Sequence, residues 1–216
     1  MSKLKSIFVC NECGYETPRW MGKCPSCGGW NTLIEQAQTK EDSAARPAQE
    51  SKLVQLKDVN IEAFSRIKTG SGELDRVLGG GIVPGSLVLC GGAPGIGKST
   101  LLLQMADFIA KGQKVIYISA EESIWQIKLR ADRLNVSAQQ LYILAQTDMN
   151  EICSQIQQLQ PAVVILDSIQ TVYLAGQAGA QGSIVQVREC ATRLMHLAKA
   201  DGFAVVIVGH ITKDGA

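Results

Sequence analysis

The stretch Gly92-Ala93-Pro94-Gly95-Ile96-Gly97-Lys98-Ser99, followed by Thr100 and three leucines, constrains the fold more than any other part of the chain. It has the phosphate-loop spacing of glycine, four residues, glycine, lysine and serine or threonine, with a strand-like run before it and a helix-like run after it. The glycines let successive backbone N–H groups point into one concavity, where the start of a helix adds partial positive charge. The product is a nest for a di- or triphosphate. Lys98 is expected to reach the β- and γ-phosphates as a point charge, and the Ser99 hydroxyl to take a place on Mg2+. A glycine-rich turn arising by chance would lack the flanking strand and helix.

Around this loop the pattern alternates. A short helix is read within 69–78 and a strand over 86–90, then a helix over 98–111 ended by Gly112 and a strand over 115–118. Helix 122–134, strand 141–144, helix 149–159, strand 163–166, helix 185–200 and strand 203–208 complete it. Continuously apolar strands alternating with helices predict a mainly parallel sheet covered on both faces. Ligands of such sheets bind at the carboxyl ends of the strands, where three further candidates lie. Asp167 directly follows its strand and has the position of an outer Mg2+ ligand, beside the plainer reading of a strand-end cap. Glu121 follows 115–118 and is placed to polarise an attacking water, while Glu122 compensates the dipole of the next helix. His210 follows the last strand and is either a sensor of the γ-phosphate or structural. The glycine-rich stretch 174–183 is expected to be a mobile loop at this edge.

Four of the seven cysteines fall as Cys10-x-x-Cys13 and Cys24-x-x-Cys27, ten residues apart, with Gly14 and Gly28-Gly29 after the pairs. Four thiolates close a tetrahedral zinc shell, so residues 1–34 read as a structural zinc ribbon. A thioredoxin-like redox pair fits poorly, because there are two pairs and no surrounding βαβ pattern. Cys90, Cys153 and Cys190 are read as core residues. Arg19, Trp20, Lys23 and Trp30 either stack on nucleic acid or pack over the zinc site. Residues 35–58 read as a polar linker and 59–216 as the nucleotide-binding domain.

The 216 residues suit one domain with a small appendage, and the net charge of +1 argues neither for nor against a nucleic-acid partner. No apolar run approaches the roughly 18 residues of a membrane span, and the first ten residues hold no signal-like segment, so a cytoplasmic protein is expected.

These features together resemble the RadA (Sms) family of bacterial DNA-repair proteins, relatives of the recombinase RecA. Four stretches carry the resemblance: the ribbon from Phe8 to Asn31; Thr69-Gly70 with 72–81; the phosphate loop; and Leu166-Asp167-Ser168-Ile169-Gln170-Thr171-Val172-Tyr173. A KaiC-like phosphotransferase shares the core type, but the ribbon favours RadA. The resemblance implies a RecA-like, DNA-dependent ATPase using ATP, Mg2+ and Zn2+. It also implies hexameric rings on single-stranded and branched DNA that promote branch migration of intermediates begun by RecA. By position it assigns phosphate and Mg2+ contacts to Gly92, Ala93, Pro94, Gly95, Ile96, Gly97, Lys98, Ser99 and Thr100, the acidic Mg2+ partner to Asp167, water activation to Glu121 and the γ-phosphate sensor to His210. Family members continue into a Lys-Asn-Arg-Phe-Gly motif and a Lon-protease-like domain that do not occur in these 216 residues. The core is therefore expected to be incomplete at its C-terminus, with a nucleotide- and DNA-binding module of little turnover as the alternative.

Overall fold

A computed structural model describes residues 6–37, 53, 55–58, 65–177 and 179–210. The linker reading over 35–58 and the domain start at 59 lie largely outside the described residues, as does Ala178 in the glycine-rich loop. The chain divides into two compact units, Met1–Ser65 and Arg66–Ala216.

The first unit is a three-stranded antiparallel sheet. The strand β1 (Ser6–Cys10) lies between β2 (Glu16–Thr17) and β3 (Leu33–Ala37). β3 runs three residues into the stretch read as linker, because Ala37 finds a partner in Ser6 and Gln36 in Ile7. The two cysteine knuckles repeat one geometry. The Gly14 amide donates to the Cys10 carbonyl and the Gly28 amide to that of Cys24, both at 2.9 Å. Gly14 and Gly28 have φ of 75° and 77°, a region that a side chain disfavours. The buried apolar residues of the unit are only Cys10, Cys24, Leu33 and Val9 among those described.

The second unit opens with the one-and-a-half-turn helix α1 (Gly72–Val77), capped by the Ser71 hydroxyl. Five strands follow: β4 (Leu87–Gly92), β5 (Val115–Ser119), β6 (Leu141–Ala145), β7 (Val163–Asp167) and β8 (Ala204–His210). They form one parallel sheet in the order β4-β8-β7-β5-β6. The helices between them are α2 (Lys98–Ile109), α3 (Ile124–Arg133), α4 (Met149–Leu159) and α5 (Ile184–Asp201).

Strand parity sorts the core. Val163 and Ile165 pack with Leu103 and Ile109 of α2 and Ala131 of α3, whereas Val164 and Leu166 pack with Ile152 of α4 and Leu194 of α5. Every residue of β5 and β7 is buried, as strands covered on both faces must be. The same alternation aims the polar residues. Tyr117, Asp167 and His210 have the parity of Val115, Ile165 and Val208, and so belong to the face that carries α2 and the phosphate loop.

Candidate nucleotide site and four-cysteine centre

The phosphate loop leaves β4 at Gly92 and enters α2 at Lys98. Gly97 caps α2 with φ of 98°, and a Cβ there or at Gly95 would meet nothing within 4 Å. The loop is thus an open cradle at a helix N-terminus, the geometry that receives phosphate. Beside it lies a cleft of about 460 Å³ lined by Gly95, Lys98, Thr100, Glu122, Arg130 and His210 among others, a volume in the range of small-ligand sites.

Lys98 is buried, with 7% of its surface exposed, and its ammonium donates to the carbonyls of Gly92 at 2.7 Å and Ala93 at 2.9 Å. His210 sits next to Gly92 in register and brings Nδ1 to 3.4 Å from Lys98 Nζ. An ammonium only donates, so Nδ1 carries the lone pair, and the proton of a neutral imidazole resides on Nε2. That nitrogen lies 3.5 Å from Glu121 Oε1. Ser168 Oγ donates to the same carboxylate oxygen at 2.6 Å. Lys98, His210, Glu121 and Ser168 therefore form one continuous polar chain across the carboxyl edge of β4, β8, β7 and β5.

Asp167 ends β7 opposite Ser119 and is buried. Tyr117 Oη donates to Asp167 Oδ2 at 2.6 Å and receives a hydrogen bond from Arg130 Nη2 at 3.3 Å. Arg130 is held in turn by Glu122, with Nη2 at 2.7 Å from Oε2 and Nη1 at 3.0 Å from Oε1. Glu122 lies ahead of the Ser123 cap and outside the first turn of α3, which holds no acidic residue, so its observed role is this ion pair rather than the expected compensation of the helix dipole. The Asp167–Ser168 peptide is cis. The glycine-rich loop hangs from buried Gln186, which receives a hydrogen bond from the Leu174 amide at 2.8 Å and donates to the carbonyl of Gln177 at 3.1 Å.

The sequence assigns no site role to Ser168, Tyr117 or Arg130, although Ser168 lies in the 166–173 stretch and Tyr117 in the strand over 115–118. A phenol inside an otherwise aliphatic strand was the available signal for Tyr117, since a buried hydroxyl needs a partner. Nothing local marks Ser168 or Arg130.

The four-cysteine centre is in the first unit. The Sγ atoms of Cys10, Cys13, Cys24 and Cys27 all lie within 4.8 Å of one another, with Cys10 to Cys27 and Cys13 to Cys24 at 3.6 Å. Tetrahedral thiolates at a Zn–S distance of about 2.3 Å are about 3.8 Å apart, so the donor set fits Zn2+. Burial pushes the Cys10 thiol up, but its hydrogen bond with the Thr32 side chain and those from the Cys13 and Glu12 backbone outweigh it and hold it at about 6. At Cys27 a backbone hydrogen bond from Gly29 lowers the value, yet burial and the neighbouring Cys10, Cys13 and Cys24 push it up to about 12. Clustered thiols that resist joint ionisation are what a divalent cation relieves. Trp30 is 71% exposed with Lys23 Nζ 5.6 Å above its ring, and Trp20 is 56% exposed, so neither tryptophan is packed into this centre.

Two family models match the chain, an AAA domain over residues 49–216 and a rubredoxin metal binding domain over residues 8–35. The chain belongs to the AAA domain family, with a four-cysteine, rubredoxin-type module ahead of the nucleotide-binding unit. Its whole length resembles the N-terminal half of DNA repair protein RadA. Identity is 51% to RadA of Bacillus subtilis, 51% to that of Halalkalibacterium halodurans and 47% to that of Streptococcus pyogenes serotype M6. These alignments cover 100% of the chain and 48–49% of the relatives, so it spans about half the length of the curated relatives it matches. No helix among the described residues is long and apolar enough to cross a membrane.

Proposed function

We propose that this chain is the ATP-binding and ATP-hydrolysing part of a cytoplasmic DNA-repair motor, with residues 1–34 as its zinc ribbon, 35–58 as linker and 59–216 as a RecA-like core. The observation that carries the reading is the convergence of Lys98, Glu121, Asp167 and His210 on one sheet edge beside an open phosphate cradle. The N–H groups of the loop bind the phosphates, and Lys98 exchanges its loop carbonyls for phosphate oxygens. Ser99 and Asp167 would hold Mg2+, for which a hydroxyl and a carboxylate are suitable hard donors. The bound cation supplies charge neutralisation on the phosphate oxygens. Glu121, steadied by Ser168, orients the attacking water and accepts its proton. His210 touches both Lys98 and Glu121, so phosphate that draws Lys98 away removes the partner of Nδ1 and signals occupancy to β8.

Single-stranded and branched DNA as substrate, RecA as partner, branch migration as outcome and a hexameric ring as assembly extend the reading, supported by the RadA likeness. Steady-state ATP hydrolysis with and without single-stranded DNA, beside Lys98→Ala as blank, tests it. DNA-stimulated turnover abolished by Lys98→Ala is expected. Glu121→Gln should lower turnover about 10²–10⁴-fold while keeping nucleotide binding. Nucleotide binding with turnover equal to the blank would instead identify a binding module whose hydrolysis needs a longer parent.

A further inference from the structure

Tyr117 is the largest fully buried side chain among the described residues, set in the middle of β5 among aliphatic residues. A phenol there is costly unless its hydroxyl is satisfied, and both of its bonds go to charged groups. The direction of those bonds is fixed by chemistry. Arg130 has only donors, so Tyr117 Oη must accept from it and give its single proton to Asp167 Oδ2. Burial first, and then the Asp167 charge, push the Tyr117 hydroxyl far above its ordinary range, so it remains a donor at every working pH.

Register explains how the pair meets. Ser119 lies opposite Asp167 and Tyr117 opposite Ile165, so Tyr117 and Asp167 are diagonal neighbours on one face, within reach of a long aromatic side chain. The relay then continues outward, from Tyr117 to Arg130 and from Arg130 to Glu122 on the wall of the cleft. Asp167 Oδ2 is committed to the phenol, which leaves Oδ1 to meet a cation. Outer hydrogen bonds of this kind orient the carboxylates that serve metals.

We infer that Tyr117 is a positioning residue for the divalent cation of the nucleotide: its hydroxyl, aimed by the Arg130–Glu122 pair, fixes the rotation of Asp167. This rests on the nucleotide-site reading above. It adds that cation affinity is set by a residue that touches neither cation nor phosphate. Through Arg130, the cleft wall and the cation site share one hydrogen-bonded path.

The test uses the full chain with a ribose-labelled fluorescent ATP analogue, titrated with Mg2+ at a fixed analogue concentration and repeated in EDTA. In Tyr117→Phe, the Mg2+ concentration for half-maximal binding should rise about tenfold, while analogue affinity in EDTA stays at the wild-type value. Arg130→Gln, which keeps the phenol but removes its donor, should move the Mg2+ midpoint the same way by a smaller factor, and it serves if Tyr117→Phe does not fold. A folded Tyr117→Phe with a wild-type Mg2+ midpoint, or with equal losses in Mg2+ and EDTA, overturns the inference and leaves the nucleotide site standing. Wild-type protein that binds no analogue under either condition overturns both.

Discussion

The two units solve the same problem by opposite means. In the nucleotide-binding unit, strand parity feeds two apolar clusters, one on each face of the sheet, and no metal is needed to hold them. The first unit has a cluster of three buried residues, two of which are the metal-binding Cys10 and Cys24. Fully burying one large aliphatic side chain is worth about 1.5–3 kcal/mol, so a core this small cannot offset the entropy of ordering some thirty residues. Small domains of this kind take their stability from the ion. A metal and a sheet interior are thus alternative sources of order, and the expectation is that loss of either leaves the other standing.

Removing the metal is the largest perturbation. Zinc binding in such modules is worth about 10–16 kcal/mol at neutral pH, so chelation or Cys24→Ala should unfold the ribbon outright. Hydrogen exchange followed by mass spectrometry should show residues 6–37 losing protection while β5, β7 and β8 keep theirs. Loss of protection in both units together would break the comparison.

A cavity in the sheet is the converse. Ile165 is fully buried between β5 and β8, and Ile165→Ala should cost about 2–5 kcal/mol, read as a lowered thermal midpoint of the second unit. Zinc content by atomic absorption should remain one ion per chain.

A smaller effect is expected at the start of α3, where the Ser123 side chain and Gln126 form a reciprocal capping box. Ser123→Ala should cost about 1 kcal/mol in denaturant unfolding. It should also loosen the helix that carries Arg130, so the Mg2+ midpoint should rise with it.

The smallest effect is confined to acid. Asp75 is held below the ordinary carboxylate range by the Thr69 amide, then by the Thr69 hydroxyl and Lys68. A depressed folded value means the contribution is complete above the unfolded value and is lost as pH falls through the folded one. Between pH 5 and 2, Asp75→Asn should flatten the fall in stability of the second unit. A slope unchanged by Asp75→Asn would locate acid sensitivity elsewhere.

Sequence pattern was sufficient for what depends on near neighbours. Apolar runs and their breaks placed β7 over Val163–Asp167 and α4 over Met149–Leu159 within a residue, because burial on both faces writes itself as an unbroken apolar run. The spacing of Cys10, Cys13, Cys24 and Cys27 marked the metal centre for a similar reason: each pair is brought together by its own turn. The site partners were hidden because they depend on register between strands far apart in sequence. Tyr117 and Asp167 are separated by 50 positions, and Ser168 and Glu121 by 47. The order of the strands, with β8 inserted between β4 and β7, brings His210 to Lys98, and no local spacing encodes it.

The hold of the loop carbonyls on Lys98 also bears on how a nucleotide leaves. A buried ammonium stripped of its phosphate would be left short of acceptors, and that penalty would oppose release. Here Gly92 and Ala93 already receive the cation at hydrogen-bond distance. On the proposed reading, departure of a nucleotide would be a handover between two sets of oxygens, with the loop carbonyls as the counterweight that would let a tight phosphate grip coexist with release.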